Sequence, residues 1–119
     1  MNATSDTDCL FCKIRDGKIP STITYRDDDV FAFKDIGAKA PLHELVVPTR
    51  HVATLADATA EDAALYGRLM VIAAKRARES GQAADGFRVV MNAGPAAGQS
   101  VFHVHLHVLA GRAFGWPPG

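Results

Sequence analysis

Gln99-Ser100-Val101-Phe102-His103-Val104-His105-Leu106-His107-Val108-Leu109 alternates three histidines with apolar residues, and a glycine-bearing loop runs directly into it. A period of two is the signature of an extended strand. It predicts one face made of Phe102, Val104, Leu106 and Val108 and an opposite face carrying Val101, His103, His105, His107 and Leu109. Successive imidazoles on such a strand stand roughly 6 to 7 Å apart, from two rises of about 3.3 Å. The apolar face reads as core surface, which leaves three titratable rings expected on the accessible side. A lone strand histidine is ordinarily a hydrogen-bonded structural side chain, whereas three on one face point to chemistry. Two functional readings follow: a metal cage built from the rings, or a nucleophile flanked by rings that position a phosphate. Adjacent rings on a flat strand splay apart, so a three-histidine cage would need ligands from elsewhere.

Upstream of this stretch, Phe87 to Asn92 reads as a strand and Ala93 to Gly98 as a loop, so the two strands are expected to pair antiparallel. Thr59-Ala60-Glu61-Asp62 has the form of a helix start, with a hydroxyl cap and acids in the first turn. Leu65, Leu69, Ile72 and Ala73 then follow at helical spacing, giving one long helix that ends near Gly81. Lys75, Arg76 and Arg78 in its last turns read as solvated charges complementing the helix dipole. Thr22 to Tyr25 and Val30 to Lys34 flank a polar turn and form a hairpin; Leu42 to Val47 is a further strand, closed by Pro48. Cys9 to Arg15 reads as a short helical stretch ended by Gly17, with both cysteines facing nearly the same way. Few strands, one long helix and no βαβ alternation argue for an α+β domain with a mainly antiparallel sheet.

The 119 residues, 48% of them hydrophobic, suffice for one core and not for two, so residues 9–119 are read as a single domain behind a polar, disordered segment 1–8. Thirteen basic residues balance thirteen acidic ones, which argues against a nucleic-acid backbone or an anionic membrane as partner. With neither a signal-peptide pattern at the start nor a long apolar run, the expectation is a cytoplasmic protein. Two cysteines with two residues between them point to a metal or redox pair rather than a structural disulfide.

His103-Val104-His105-Leu106-His107-Val108, preceded by Gly98-Gln99-Ser100-Val101-Phe102, resembles the histidine-triad (HIT) superfamily of nucleotide hydrolases and transferases, most closely its Hint branch of phosphoramidases. The resemblance runs from Cys9 to Gly119. It implies a five-stranded antiparallel sheet backed by a long helix, with a short N-terminal helix, usually doubled in a homodimer. It further implies an enzyme that cleaves a purine nucleoside 5′-monophosphate derivative, of AMP or GMP type, at the α-phosphate through a nucleotidyl-histidine. His105 would be the nucleophile, His107 would meet the phosphate, His43 would buttress the nucleophile and Ser100 would meet the leaving group. Asn92 falls on the phosphate side. Two other readings remain: a Fhit-like dinucleoside polyphosphate hydrolase, and a nucleotide-binding or interaction module with incidental turnover.

The residues themselves add to this. A neutral imidazole is a competent nucleophile near pH 7. The loop after Asn92 has neither a Walker lysine nor a strand-to-helix GxGxxG, but Gly98 allows close backbone approach and the amides of Gln99, Ser100 and Val101 could bond a phosphate. Asp35 has the oxygens for a bidentate contact to ribose hydroxyls, and Phe33 and Ile36 offer an apolar slot for a base, a pairing that the resemblance raises above an ordinary turn. Cys9 and Cys12 supply half of a tetrahedral zinc site. Members of the family and the related galactose-1-phosphate uridylyltransferases complete it with a histidine after the Val-Pro strand and the first triad histidine, here His51 and His103. Such a zinc would be structural, with no catalytic metal expected. A redox pair and two unligated thiols are the competing readings of the cysteines.

Overall fold

Cys9 opens the first helix, α1 (Leu10–Arg15), by accepting the Cys12 amide on its own sulfur at 3.3 Å. These contacts come from a computed structural model that describes residues 8–119, so the expected disordered segment lies outside the described residues except for Asp8. Gly17 turns the chain with a φ of +76°, and β1 (Ile23–Arg26) and β2 (Val30–Lys34) follow as an antiparallel hairpin. Asp27 builds its turn: Oδ1 accepts the amides of Asp29 and Val30, each at 2.8 Å. Its Oδ2 takes the Tyr25 hydroxyl and the Arg68 guanidinium. Burial pushes this carboxyl upward, yet those donors together hold it down at about 2.

β3 (Leu42–Pro48), β4 (Phe87–Val90) and β5 (Leu106–Ala110) complete one five-stranded sheet in the order β1-β2-β3-β5-β4, antiparallel throughout. The fold is thus the expected α+β arrangement. Thr59 and Asp62 form the capping box read from the sequence, but Ala60–Asp62 winds as a 3-10 turn and the long helix proper, α2, spans Ala63–Glu79. Gly81 follows with a φ of +74°, a conformation that stops a helix at little steric cost.

Alternation along the strands divides the molecule into two layers. Val30, Ala32, Leu42, Val46, Leu106, Val108 and Ala110 face α2, where Leu69, Ile72, Ala73 and Ala77 close over them. Phe31, Phe33, Leu45 and Val47 face the other way and pack with Phe11 and Ile14 of α1 and the two cysteines. Burying a side chain such as Leu69 or Ile72 stabilises the fold by about 1.5 to 3 kcal/mol.

Two expectations are corrected here. The histidine strand is shorter than its alternation implies: β5 begins only at Leu106, while Val101 to His103 bend away from the sheet. The reason lies in other bonds, because the Val104 amide donates to the Val52 carbonyl at 2.7 Å and a His103 ring nitrogen donates to the Pro48 carbonyl at 2.7 Å. Arg76 is not a solvated helix-end charge either. It forks onto the buried carboxylate of Glu44 at 2.9 and 3.1 Å, pinning α2 to β3, with the Thr24 hydroxyl donating to the same carboxylate at 2.8 Å.

Candidate active site and metal centre

The α1-facing layer carries both groups of histidines. β3 and β5 pair so that Leu45 lies opposite His107 and His43 opposite Leu109, which places the His43 and His107 rings diagonally on one face. They meet: His43 Nε2 lies 2.9 Å from His107 Nδ1. His105 precedes the strand, with its ring centroid 5.1 Å from that of His107, closer than the regular strand spacing. The rings are far less accessible than expected, since His103 is fully buried and His105 is 7% exposed; His107 is half-buried.

Hydrogen bonds assign the protons. His105 Nδ1 lies 2.7 Å from the His103 carbonyl, which can only accept, so Nδ1 carries the proton and the Nε2 lone pair is free. At His43 the logic reverses. The Lys39 amide donates to Nδ1 at 3.0 Å, so the neutral ring carries its proton on Nε2. That proton is directed at His107 Nδ1, with Asp35 Oδ2 a second acceptor 3.3 Å away. His107 in turn must be protonated on Nε2. Asp35, His43 and His107 therefore form a hydrogen-bond relay, although their donor atoms lie close enough to suggest a second metal site. A cation on His43 Nε2 would drive the proton to Nδ1, against an amide that also donates.

Burial favours the neutral form of each ring. It lowers the His105 pKa against the opposing carbonyl bond, and it lowers that of His43 against the charge of Asp35. His107 is pushed down to about 4 by burial and by its two histidine neighbours.

A cavity of about 290 Å³ opens over these rings, its walls including Phe33, Asp35, Ile36, Ser100, Val101, His105 and His107. Leu10, Phe11, Ile14, Ile19 and Pro20 complete its apolar side. The sequence hid that contribution; its only signal was the phenylalanine between the cysteines, whose ring stands edge-on to His105 at 5.0 Å. Asn92 and Gly98 are not among the cavity walls, although the Asn92 amide nitrogen lies 3.8 Å from where a Cβ on Gly98 would sit. Gln99 is buried and braces the loop from inside, bonding Ala53 and Val101 carbonyls and the Gly94 amide. Its own amide is committed to the Gly94 carbonyl at 3.1 Å, so the expected row of three phosphate-facing amides is shortened to Ser100 and Val101. The His43 ring nitrogen meets His107 and Asp35.

A larger groove of about 530 Å³, beside the start of α2, contains none of the candidate site residues. Its arginines are already paired, Arg50 with Asp62 and Arg68 with Asp27.

The second centre lies behind the cavity. Cys9, Cys12, His51 and His103 bring one ligand atom each to within 4.8 Å of the others. Sulfur-to-nitrogen distances are 3.3 and 3.5 Å to His103 Nδ1 and 3.5 Å to His51 Nδ1, and the two ring nitrogens stand 3.3 Å apart. Tetrahedral bonds of about 2.3 Å to sulfur and about 2.05 Å to nitrogen require separations of about 3.5 and 3.3 Å. The cluster therefore has the dimensions of a four-ligand metal site. Because His103 Nε2 donates to Pro48, its Nδ1 is a bare lone pair aimed at the cluster, the arrangement a metal-ligating histidine needs.

A sequence profile of the HIT domain matches residues 16–114. This chain belongs to the HIT family. Within it, the chain is 46% identical over 112 residues to an uncharacterised HIT-like protein of Synechococcus elongatus, covering 94% of this chain and 97% of that one. It is 44% identical over 106 residues to the purine nucleoside phosphoramidase of Escherichia coli K12, covering 89% of each. The fold matches a HIT family hydrolase from Legionella pneumophila with a TM-score of 0.91 at 43% identity, over 94% of this chain and all of that one. The HIT fold thus accounts for the five strands, for α2 and for the histidine stretch running into β5.

Proposed function

We propose that this HIT protein is a nucleotide phosphoramidase of the Hint type, cleaving a purine nucleoside 5′-phosphoramidate in two displacements at His105. One observation carries the reading: the His105 ring, tied to its own backbone through Nδ1–H, keeps an unprotonated Nε2 at the wall of a nucleotide-sized cavity. In the first displacement that lone pair forms a bond to the α-phosphorus as the P–N bond breaks. The amine leaves after taking up one proton at the exposed mouth, where Ser100 sits. The ring becomes cationic, and its Nδ1–H bond to the His103 carbonyl strengthens as charge develops. His107 offers Nε2–H to the phosphoryl oxygens, with the Ser100 and Val101 amides beside it. Water then attacks the same phosphorus as the P–Nε2 bond breaks, giving up one proton to solvent, which releases the nucleoside monophosphate and restores the neutral His105 ring. Asp35 holds the ribose, and Phe33 and Ile36 flank the base. Such a slot reads size more than donors and acceptors, so AMP- and GMP-type substrates are expected to compete closely.

The Cys9, Cys12, His51 and His103 cluster fits zinc, whose role in this reading is structural: four protein ligands leave no open position for water. His103 would thereby hold in place the carbonyl that fixes the His105 proton. A homodimer is also proposed, resting on exposed Met70 and Val71 of α2 and Phe87 of the edge strand β4. Trp116, exposed on the tail, is placed in this reading near the partner's cavity.

The test is incubation with a nucleoside phosphoramidate and, separately, a dinucleoside polyphosphate, following nucleotide release from each. Fast release from the first alone is the expected result. Preference for the second would select a Fhit-like hydrolase, and binding without release from either would select a nucleotide-binding module.

A further inference from the structure

The relay that ends at His107 does not begin at His43. His43 keeps its proton on Nε2 because the Lys39 amide occupies Nδ1, and that amide lies in an exposed loop, Gly37 to Pro41, with no regular structure to orient it. A peptide plane is rigid, so holding the Lys39 carbonyl restricts where the rest of its loop can turn. Arg112 supplies such a hold. Its Nε donates to the Lys39 carbonyl at 2.8 Å and its Nη1 to the Ala113 carbonyl at 2.9 Å, while its guanidinium lies 4.3 Å from the centre of the Phe114 ring. Arg88 stands 5.3 Å from the same ring and donates to the Gly115 carbonyl at 2.8 Å, anchoring the far side of the segment. Gly111 brings the two stretches into contact: with φ at +94°, it lies so close to Pro41 that a Cβ there would fall 2.7 Å from the proline Cβ.

We infer that Arg112 is a positioning residue for the active site, acting through the Lys39 loop to select the His43 tautomer that delivers Nε2–H to His107. The path is short: Arg112 to the Lys39 carbonyl, the Lys39 amide to His43 Nδ1, and His43 Nε2 to His107 Nδ1 at 2.9 Å. Loss of the Arg112 contact frees the loop, and His43 then samples the Nδ1–H form, which turns a lone pair toward His107. His107 loses its donor partner and with it the fixed Nε2–H. This inference rests on the proposed roles of His105 and His107 only where it concerns turnover; the tautomer is independent of them.

The experiment is histidine side-chain nitrogen NMR on the full-length, ¹⁵N-labelled protein, with steady-state kinetics on a nucleoside phosphoramidate. The wild type should show His43 as a single Nε2–H tautomer. In Arg112→Ala its signal should become a mixture or broaden by exchange, and kcat should fall roughly tenfold or more with KM within about twofold, as for an enzyme whose relay histidine takes the wrong tautomer. Arg112→Lys, which retains one donor for the carbonyl, should recover most of both. Arg88→Ala loosens the same tail without touching Lys39, so it should leave the His43 signal unchanged. If Arg112→Ala does not fold well enough for spectra, the Arg112→Lys and Arg112→Met pair is read in the same way, with Met, which has no donor for the carbonyl, expected to show the mixture. An unaltered Nε2–H tautomer in the arginine variants overturns the inference, as does an equal change in Arg88→Ala. Absence of turnover in the wild type would instead overturn the proposed function, leaving the inference to be judged on the ring signal.

Discussion

The two faces of the sheet bury residues to different ends. Against α2 the interior is aliphatic and closed, and its internal ion pair, Glu44 with Arg76, is forked and supplemented by Thr24. Against α1 the sheet buries imidazoles, sulfurs and aromatic rings and keeps a cavity of about 290 Å³ beside them. Apart from that ion pair, the first face is satisfied by shape and apolar area. The second needs its ring protons placed, because a buried ring nitrogen without a partner is costly; the His103 carbonyl, the Lys39 amide and the Pro48 carbonyl place those of His105, His43 and His103, while His51 Nε2 is buried without a protein partner. Stability and chemistry are thus separated by the pleat of single strands: in β3, His43 and Leu45 face the site while Glu44 between them faces the helix.

The sharpest way to break that division is at His105. His105→Asn should reduce turnover by at least about a thousandfold, since in the proposed mechanism His105 alone forms the covalent bond, while nucleoside monophosphate binding measured by calorimetry stays within a few-fold of wild type. Turnover that persists would remove His105 from the chemistry.

Next in size is a contrast between the faces in thermal stability. If the proposed zinc is bound, removing it with a strong chelator, or making Cys12→Ala, should lower Tm by more than about 10 °C, as the loss of a folding-coupled site implies. Leu69→Ala on the other face should cost about 2 to 5 kcal/mol by leaving a cavity. Below the lowered Tm both proteins should keep much of their turnover. A chelated protein that stays folded but loses all turnover would instead make the metal catalytic, and purified protein that contains no metal yet keeps its Tm would return the cysteines to free thiols.

The smallest effect is the response to acid. Burial lowers the His43 pKa, and burial with neighbouring rings brings His107 to about 4, so the folded protein binds fewer protons than the unfolded chain below the ordinary histidine value of about 6.5. Their contribution to stability is therefore fully present above pH 6.5 and is lost progressively between there and about pH 4. Tm measured across that range should fall on acidification, and the fall should shrink in His107→Gln. A Tm independent of pH between 7 and about 5 would show that these rings are not held neutral.

The amino-acid sequence by itself determined the class of the fold, the hairpin at Asp27, the capped long helix and the grouping of Cys9, Cys12, His51 and His103. The first three follow from periodicity and turn chemistry, which are local, whereas the grouping is what the resemblance to the HIT family implies. His103 is the instructive exception. Its place in an alternating run reads as strand, but its bonds to Pro48 and to the cysteines, 55 and more residues away, pull it out of the sheet. The same limit explains why Arg76 reads as a solvated charge until Glu44 is seen behind it, and why the bracing of the loop by the Gln99 side chain is not legible in the sequence. Only the tertiary structure decided which nitrogen of each histidine carries the proton. That choice is made by a carbonyl or an amide supplied from another part of the backbone, and backbone groups are the same at every residue, so no side-chain pattern can announce them.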